Sequence, residues 1–341
     1  MRGRNFRAFK VIARPDLPTL VAKDILSRIG AELVQVPVCT EEDLIKNGAD
    51  ADAALVSAIE PYTARVIRAL PKCRLIARTG IGFNNIDAEE ATRQGIAVAI
   101  VLDASVNEVS DQAMAFLLAF SRRIFPVAQA VRDGLWKAGS KGMEKARGQM
   151  FRLSEQTLGI VGVGRIGGRL GLKARAFGLR VLGYDPYLSS EELNARGAEM
   201  VDFPKLLQEA DYISIHTPLS AETKNMFGLA EFKKMKPSAV IINTARGAII
   251  DEKALCQALT EGVIAGAGLD VTNPEPPSSD NRLLKLEQVL VTGHFAYFSE
   301  TSVRELHVKS AEAIVVALKG KWPLFLANPD VKQQLNCRIG K

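Results

Sequence analysis

Arg246, Glu275 and His294 stand in three short polar stretches, Thr244-Ala245-Arg246-Gly247, Pro274-Glu275-Pro276 and Gly293-His294. Each follows an apolar run with the composition of a buried strand. Histidine is the side chain whose ordinary pKa lies near neutrality, which suits it to exchange a proton with a reacting oxygen. A guanidinium keeps its charge and pairs with a carboxylate in bidentate fashion. A carboxylate beside an imidazole favours the protonated ring and fixes its orientation. These residue types predict His294 as acid/base, Glu275 as its partner, and Arg246 as electrophile and carboxylate clamp. The chemistry that fits is hydride transfer at a carbonyl next to a carboxylate, where a forming alkoxide needs a proton and the carbonyl needs a cation. Two of the chain's three histidines, His216 and His294, end predicted strands.

A hydride needs a carrier, and residues 157–185 have the pattern of a site for one. Thr157 to Val163 reads as a buried strand, and Gly162, Gly164 and Gly167 fall in the spacing G-x-G-x-x-G. Ile166, Leu170, Leu172 and Ala176 then recur near helical period, and a second strand from Arg180 to Tyr184 ends on Asp185. The glycines allow a tight turn, a close approach of backbone to a pyrophosphate, and close packing of helix on strand. The helix N-terminus offers amides and a positive dipole end to the phosphates. Asp185 is placed to accept hydrogen bonds from the adenosine ribose and would repel a 2′-phosphate. Pro186 and Tyr187 follow it, with no arginine, so the expected cofactor is NAD.

Strands alternating with helices must position these groups. Before residue 104, Phe9 to Ala13, Ala31 to Val38, Ala53 to Ala58 and Leu75 to Arg78 read as strands with helical stretches between them. This implies a parallel sheet covered on both faces, without a phosphate loop of its own. Its fourth strand runs into Gly80-Ile81-Gly82, whose backbone could cradle a carboxylate. Ser105 with Glu108 reads as a capping box opening a helix to Arg123, with an apolar stripe of Val106, Val109, Ala113, Phe116, Leu117 and Phe120. Val127 to Trp136 reads as a second helix and Ala138 to Arg152 as a loop. Further strands at Tyr212 to Ile215, Ala239 to Asn243, Ile264 to Asp270 and Gln288 to Thr292 carry the polar clusters at their carboxyl ends. The fold class expected is α/β, two doubly wound Rossmann-like domains with the active site in the cleft between them.

At 341 residues the chain is long enough for two cores. A composition of 47% hydrophobic and 24% charged residues is that of a soluble globular protein. No apolar stretch approaches bilayer length, and no signal segment opens the chain, so neither a membrane span nor export is expected. Four scattered cysteines suit a reducing cytoplasm and show no metal-ligand spacing, so no metal is expected. A net charge of +6 is spread along the chain without interleaved aromatics. That argues against nucleic acid and fits a small anionic ligand.

Six stretches now stand together: RTGIGFNNID (78–87), LGIVGVGRIGGRL (158–170), HTPL (216–219), INTARGAIIDE (242–252), GAGLDVTNPEPP (266–277) and GHFAYFSE (293–300). In this order they resemble the D-isomer-specific 2-hydroxyacid dehydrogenase family, in the branch near the C-terminal binding proteins. The resemblance implies hydride transfer between NAD and a small 2-oxo or D-2-hydroxy acid. It assigns the catalytic roles to Arg246, Glu275 and His294, and the substrate carboxylate to Gly80, Ile81 and Gly82. It places Gly164, Arg165 and Ile166 at the pyrophosphate, and His216, Thr217 and Pro218 along the cofactor. Thr244, with Ala245 beside it, lies by the nicotinamide ribose, and Asp270 at the nicotinamide amide. It also implies a discontinuous substrate domain, 1–103 with 300–341, around an NAD domain at 104–299, and a homodimer formed through the 105–136 helices and the loop after them. Gly293 replaces a common proline, Gln112 a usual histidine, and Asn84 a frequent aspartate. Tyr297 stands where tryptophan is frequent and is expected to line the substrate pocket. The absence of a regulatory domain after residue 330 disfavours the long phosphoglycerate dehydrogenases. The same branch suggests an alternative, an NADH-gated interaction protein with vestigial catalysis.

Overall fold

A computed structural model describes residues 8–340. The chain divides into two compact units, one of Met1–Ala104 with Ser299–Lys341 and one of Ser105–Phe298.

The first unit alternates β1 (Lys10–Ala13), α1 (Leu20–Ser27), β2 (Glu32–Gln35), α2 (Glu41–Gly48), β3 (Ala53–Val56), α3 (Ala64–Arg68), β4 (Leu75–Arg78), α4 (Ala88–Arg93) and β5 (Ala97–Ala99). The sheet order is β2-β1-β3-β4-β5 and every pairing is parallel. Because side chains alternate along a strand, each strand feeds two cores. Val11, Leu55, Leu75 and Ala77 pack on one face, and Ile12, Val56, Ile76 and Val98 on the other. β5 and α4 lie in a stretch that carried no separate strand or helix expectation.

The second unit opens with α5 (Val106–Ser121), α6 (Ile124–Arg132) and α7 (Lys141–Arg147). It continues through β6 (Thr157–Val161), α8 (Arg165–Ala176), β7 (Arg180–Tyr184), α9 (Ser190–Ala195), β8 (Glu199–Met200), α10 (Phe203–Glu209) and β9 (Tyr212–Ile215). It closes with α11 (Leu229–Phe232), β10 (Val240–Asn243), α12 (Glu252–Thr260), β11 (Gly266–Leu269) and β12 (Val289–Val291). The parallel order β12-β11-β10-β9-β6-β7-β8 reverses direction between β6 and β9, the point where open sheets bind ligands. Leu158, Ile160 and Ile242 face α5 and α8, while Val161, Ile213 and Ile241 face the helices of the other side. The chain then returns to the first unit as α13 (Glu300–Leu318), which lays Ala311, Ile314 and Ala317 on that unit's core.

Three local expectations are corrected. Ser105 precedes α5 but its side chain caps nothing, so the expected capping box is not formed. The stretch Ala138 to Arg152 is not all loop: α7 starts there because Ser140 Oγ accepts a hydrogen bond from Met143 N–H at 3.3 Å. None of the residues of α7 is buried, so no apolar period could announce it. α6 begins at Ile124, ahead of Pro126, which a first helical turn tolerates because its amide has no helical acceptor. The apolar stripe of α5 is core. Phe116 lies against Gly268 and Phe120 against Gly266, where any larger residue on β11 would collide with the rings.

Candidate active site

The dinucleotide turn is built by close approaches. Gly162, with φ +89, sits where a Cβ would lie 2.8 Å from the His216 carbonyl carbon, so β6 and the end of β9 touch only because the residue is glycine. Gly167 lets α8 ride on the turn, since a Cβ there would meet the Gly162 carbonyl oxygen at 2.1 Å. A Cβ on Gly164 would point into open space. The first helical bond of α8 runs from Gly168 N–H to Gly164 C=O at 2.9 Å, so the amides of Ile166 and Gly167 have no acceptor within the helix. Arg165 extends from the same turn and is exposed. One oxygen of Asp185 accepts from Val163 N–H at 2.9 Å and the other from Tyr187 N–H at 3.1 Å. This fixes the carboxylate at the end of β7 while each oxygen keeps a second acceptor site.

The next two strand ends carry matching polar groups. His216 follows β9, and its Nε2 lies 2.9 Å from Ser214 Oγ. Burial pushes the imidazole's pKa down to about 4, so the ring is neutral at physiological pH. Thr217 Oγ1, next to Gly162, and Thr244 Oγ1, after β10, are both buried without a hydrogen-bond partner. Buried hydroxyls rarely stay unsatisfied, and two at adjacent strand ends beside a phosphate-type turn fit a polyhydroxylated cofactor. The open space above Gly164 and the first-turn amides fit its phosphates. Pro218 is exposed just beyond them.

Arg246 leaves β10 through a fixed corner. Asn243 Oδ1 accepts from Ala245 N–H at 3.0 Å, and its Nδ2 donates to Arg246 C=O at 2.9 Å. Gly247 then presses on the loop after β11, where a Cβ would stand 2.0 Å from Thr272 C=O. The Arg246 Nη1 donates to Ala245 C=O at 2.6 Å. Burial lowers the guanidinium's pKa, an effect that the nearby Glu275 carboxylate only partly offsets; an arginine remains charged throughout.

Glu275 Oε1 and His294 Nδ1 are hydrogen-bonded, with both side chains partly exposed. His294 has φ +59, a left-handed conformation that costs a non-glycine residue about 1 kcal/mol. Asp270, 1% exposed, holds the segment in that shape. Its carbonyl accepts from His294 N–H at 2.8 Å. Its carboxylate accepts from Phe295 N–H at 3.0 Å, from Ala296 N–H at 2.9 Å and from the Thr292 hydroxyl. Arg246, Glu275, His294 and Asp270 are therefore brought together on one sheet edge. Tyr297 is partly exposed in an aromatic group with Phe295 and Phe298.

Gly80, Ile81 and Gly82 lie in the first unit, directly after β4. Gly80 has φ +154 and packs on the buried Arg78 guanidinium, which a Cβ would meet at 2.1 Å. The residue with no advance signal is Thr292. Its contact depends on the parallel register that pairs Leu269 with Val291, which sets Asp270 beside Thr292 across 22 residues of sequence.

Comparison with known proteins agrees with this geometry. Residues 114–296 match the family model described as D-isomer specific 2-hydroxyacid dehydrogenase, NAD binding domain. The chain belongs to the D-isomer-specific 2-hydroxyacid dehydrogenase family. It is 38% identical over 288 residues to a glyoxylate reductase of Korarchaeum cryptofilum, covering 84% of this chain and 86% of that one. It is 37% identical over 319 residues to a D-3-phosphoglycerate dehydrogenase of Methanocaldococcus jannaschii, covering 93% of this chain and 59% of the relative. A D-lactate dehydrogenase from Aquifex aeolicus, solved with NAD and lactic acid, superposes with a TM-score of 0.82 at 25% identity, covering 94% and 99% of the two chains. The protein is an NAD-dependent 2-hydroxyacid dehydrogenase with two parallel α/β units, and NAD is its cofactor. Among the described residues no single helix is long and apolar enough to cross a membrane.

Proposed function

We propose that this dehydrogenase interconverts a small 2-oxo acid and its D-2-hydroxy acid, with His294 as the acid/base. The observation that carries the reading is the Glu275–His294 pair beside Arg246, on the sheet edge that also presents the glycine turn. Glycines 162, 164 and 167, Arg165, Ile166, Asp185, His216, Thr217, Pro218, Thr244, Ala245 and Asp270 would hold the cofactor. When bound, the nicotinamide supplies the hydride. Arg246 pairs with the substrate carboxylate and polarises the carbonyl. His294 donates its Nε2 proton to the carbonyl oxygen, because Nδ1 is committed to Glu275. The balance is a 2-oxo acid, NADH and a proton giving a hydroxy acid and NAD. Tyr297 shapes the side-chain end of the pocket. In this reading residues 104–299 form the NAD domain, and 1–103 with 300–341 the substrate domain.

The relatives' names nominate glyoxylate, lactate's oxo acid pyruvate, and 3-phosphohydroxypyruvate as first substrates, with hydroxypyruvate and bulkier homologues beside them. Purified protein with NADH should oxidise the cofactor with at least one of these and, with the oxo acids other than glyoxylate, whose product is achiral, yield the D-product by chiral chromatography. No turnover across the panel despite NADH binding would remove the reading and leave the NADH-gated interaction protein in its place.

We further propose a cytoplasmic homodimer. Its support is an exposed apolar group at the start of the second unit, Ile124, Phe125, Val131, Leu135, Phe151 and Trp136, the last 78% exposed. Sedimentation should give about twice the 37.0 kDa chain mass at micromolar concentration, and a monomer would refute it.

A further inference from the structure

We propose that Thr292 is a positioning residue that locks the His294 turn, and that Gln112 on α5 sets the direction of its hydroxyl. The inference rests on the acid/base role proposed for His294. That residue is left-handed and follows Gly293, the residue type that resists backbone rotation least. The turn therefore has no local restraint on its upstream side and must be held by tertiary bonds. Thr292 supplies the upstream bond: its amide donates to Leu269 C=O at 2.8 Å and its hydroxyl donates to Asp270 Oδ1. Phe295 N–H and Ala296 N–H close on the same carboxylate from downstream. One buried carboxyl group thus grips the chain on both sides of the imidazole.

The hydroxyl has a single proton and two acceptor sites, and Asp270 in its ionised form can only accept. The Thr292 proton therefore belongs to Asp270, and its oxygen is left to accept. Gln112 Nε2 lies 3.4 Å from that oxygen and donates to it. With Nε2 turned to this place, the opposite rotor, in which the threonine would turn its proton to α5 and abandon the carboxylate, has no acceptor from Gln112. The resulting chain, from the Gln112 amide through the Thr292 hydroxyl to Asp270, ties the acid/base loop to the unit's core helix. Glu275 orients the ring about Nδ1, whereas this chain fixes the backbone on which the ring is mounted. Displacement of a reacting group by about 1 Å can cost about a hundredfold in rate.

The test compares kcat with the NADH Kd in Thr292→Val, Thr292→Ser and Gln112→Leu, and in Thr292→Val carrying Gly293→Pro. Thr292→Val keeps the shape and removes the hydroxyl; its kcat should fall at least about tenfold with the NADH Kd within about twofold of wild type. Thr292→Ser should recover most of the loss. Gly293→Pro should restore part of it in the valine background, because the ring removes the rotation that the lost bond no longer prevents. A valine variant with wild-type kcat, or a serine variant no better than valine, overturns the proposal. Should Thr292→Val fail to fold, Gln112→Leu decides: a kcat loss of about twofold to fivefold relieved by Gly293→Pro supports the chain, and an unchanged kcat overturns it. A wild-type protein inactive on every oxo acid would instead overturn the acid/base reading, a result distinct from any of these.

Discussion

Gly167→Ala separates the two tasks of the dinucleotide turn. The added methyl would lie 2.1 Å from the Gly162 carbonyl oxygen and 3.0 Å from Ile160 Cγ2, so α8 must lift away from β6 or the turn must rotate. A clash against backbone falls in the upper part of the overpacking range, about 2–3 kcal/mol, and alanine recovers about 1 kcal/mol of helix propensity, which leaves about 1–2 kcal/mol. For a unit of this size each kcal/mol corresponds to about 2–4 °C, so Tm should fall by about 2–8 °C. Lifting the helix also withdraws its first-turn amides from a bound pyrophosphate. One lost hydrogen bond to a charged group is worth about 1.5–3 kcal/mol, which raises the NADH Kd by about tenfold to a hundredfold. Gly164→Ala is the counterpart: the space around the new methyl is open and the backbone (φ −70, ψ −148) lies at the margin of the extended region, so Tm should fall less than in Gly167→Ala. Its NADH affinity should still fall, because that open space is where the phosphates approach. Scanning fluorimetry and NADH fluorescence titration read the two quantities. Wild-type NADH affinity in both variants would refute the placement of the cofactor, and an unchanged Tm in Gly167→Ala would refute the packing.

Arg246→Lys keeps a charge but loses the planar fork, so kcat/KM for the oxo acid should fall about a hundredfold while NADH binding is unchanged; equal turnover would refute a bidentate clamp. Glu275→Gln keeps the shape and removes the charge from His294 Nδ1, and steady-state kcat should fall about tenfold or more with NADH Kd unchanged. Glu90 lies buried under Arg68, Gln94 and Arg93, whose hydrogen bonds hold its pKa at about 2 instead of 4.5. A depressed carboxylate stabilises the fold above its unfolded pKa, so the Tm advantage of wild type over Glu90→Gln should be full at pH 6 and fade between about pH 4.5 and 2. A Glu90→Gln protein with wild-type Tm at pH 6 would refute that network.

The parts of the site that sequence made legible are those written locally. The turn from β6 through α8 to β7 combines an apolar run, three glycines and a terminal acid within 29 residues, and each has one physical use in that order. Arg246 and His294 were legible because few side chains can clamp a carboxylate or trade a proton near neutrality, and both follow strand-like runs. What was not legible depends on neighbours that only the sheet order supplies. Thr292 reaches Asp270 because β11 and β12 pair, and nothing near residue 292 announces that. The α5 stripe suited either a core or a subunit contact, and the glycines of β11 that accept Phe116 and Phe120 decide for the core. α7 escaped notice for the opposite reason: it buries nothing, so a single serine cap defines its start.

In the proposed reaction His294, held by Glu275, moves the proton. That role is tested most directly by kcat for the best oxo acid in wild type and His294→Ala at saturating NADH, with NADH binding measured on the same samples. The expected result is a loss of at least about a thousandfold in kcat with NADH Kd within about twofold. A His294→Ala protein that binds NADH and still reduces the oxo acid within about tenfold of wild type would contradict it.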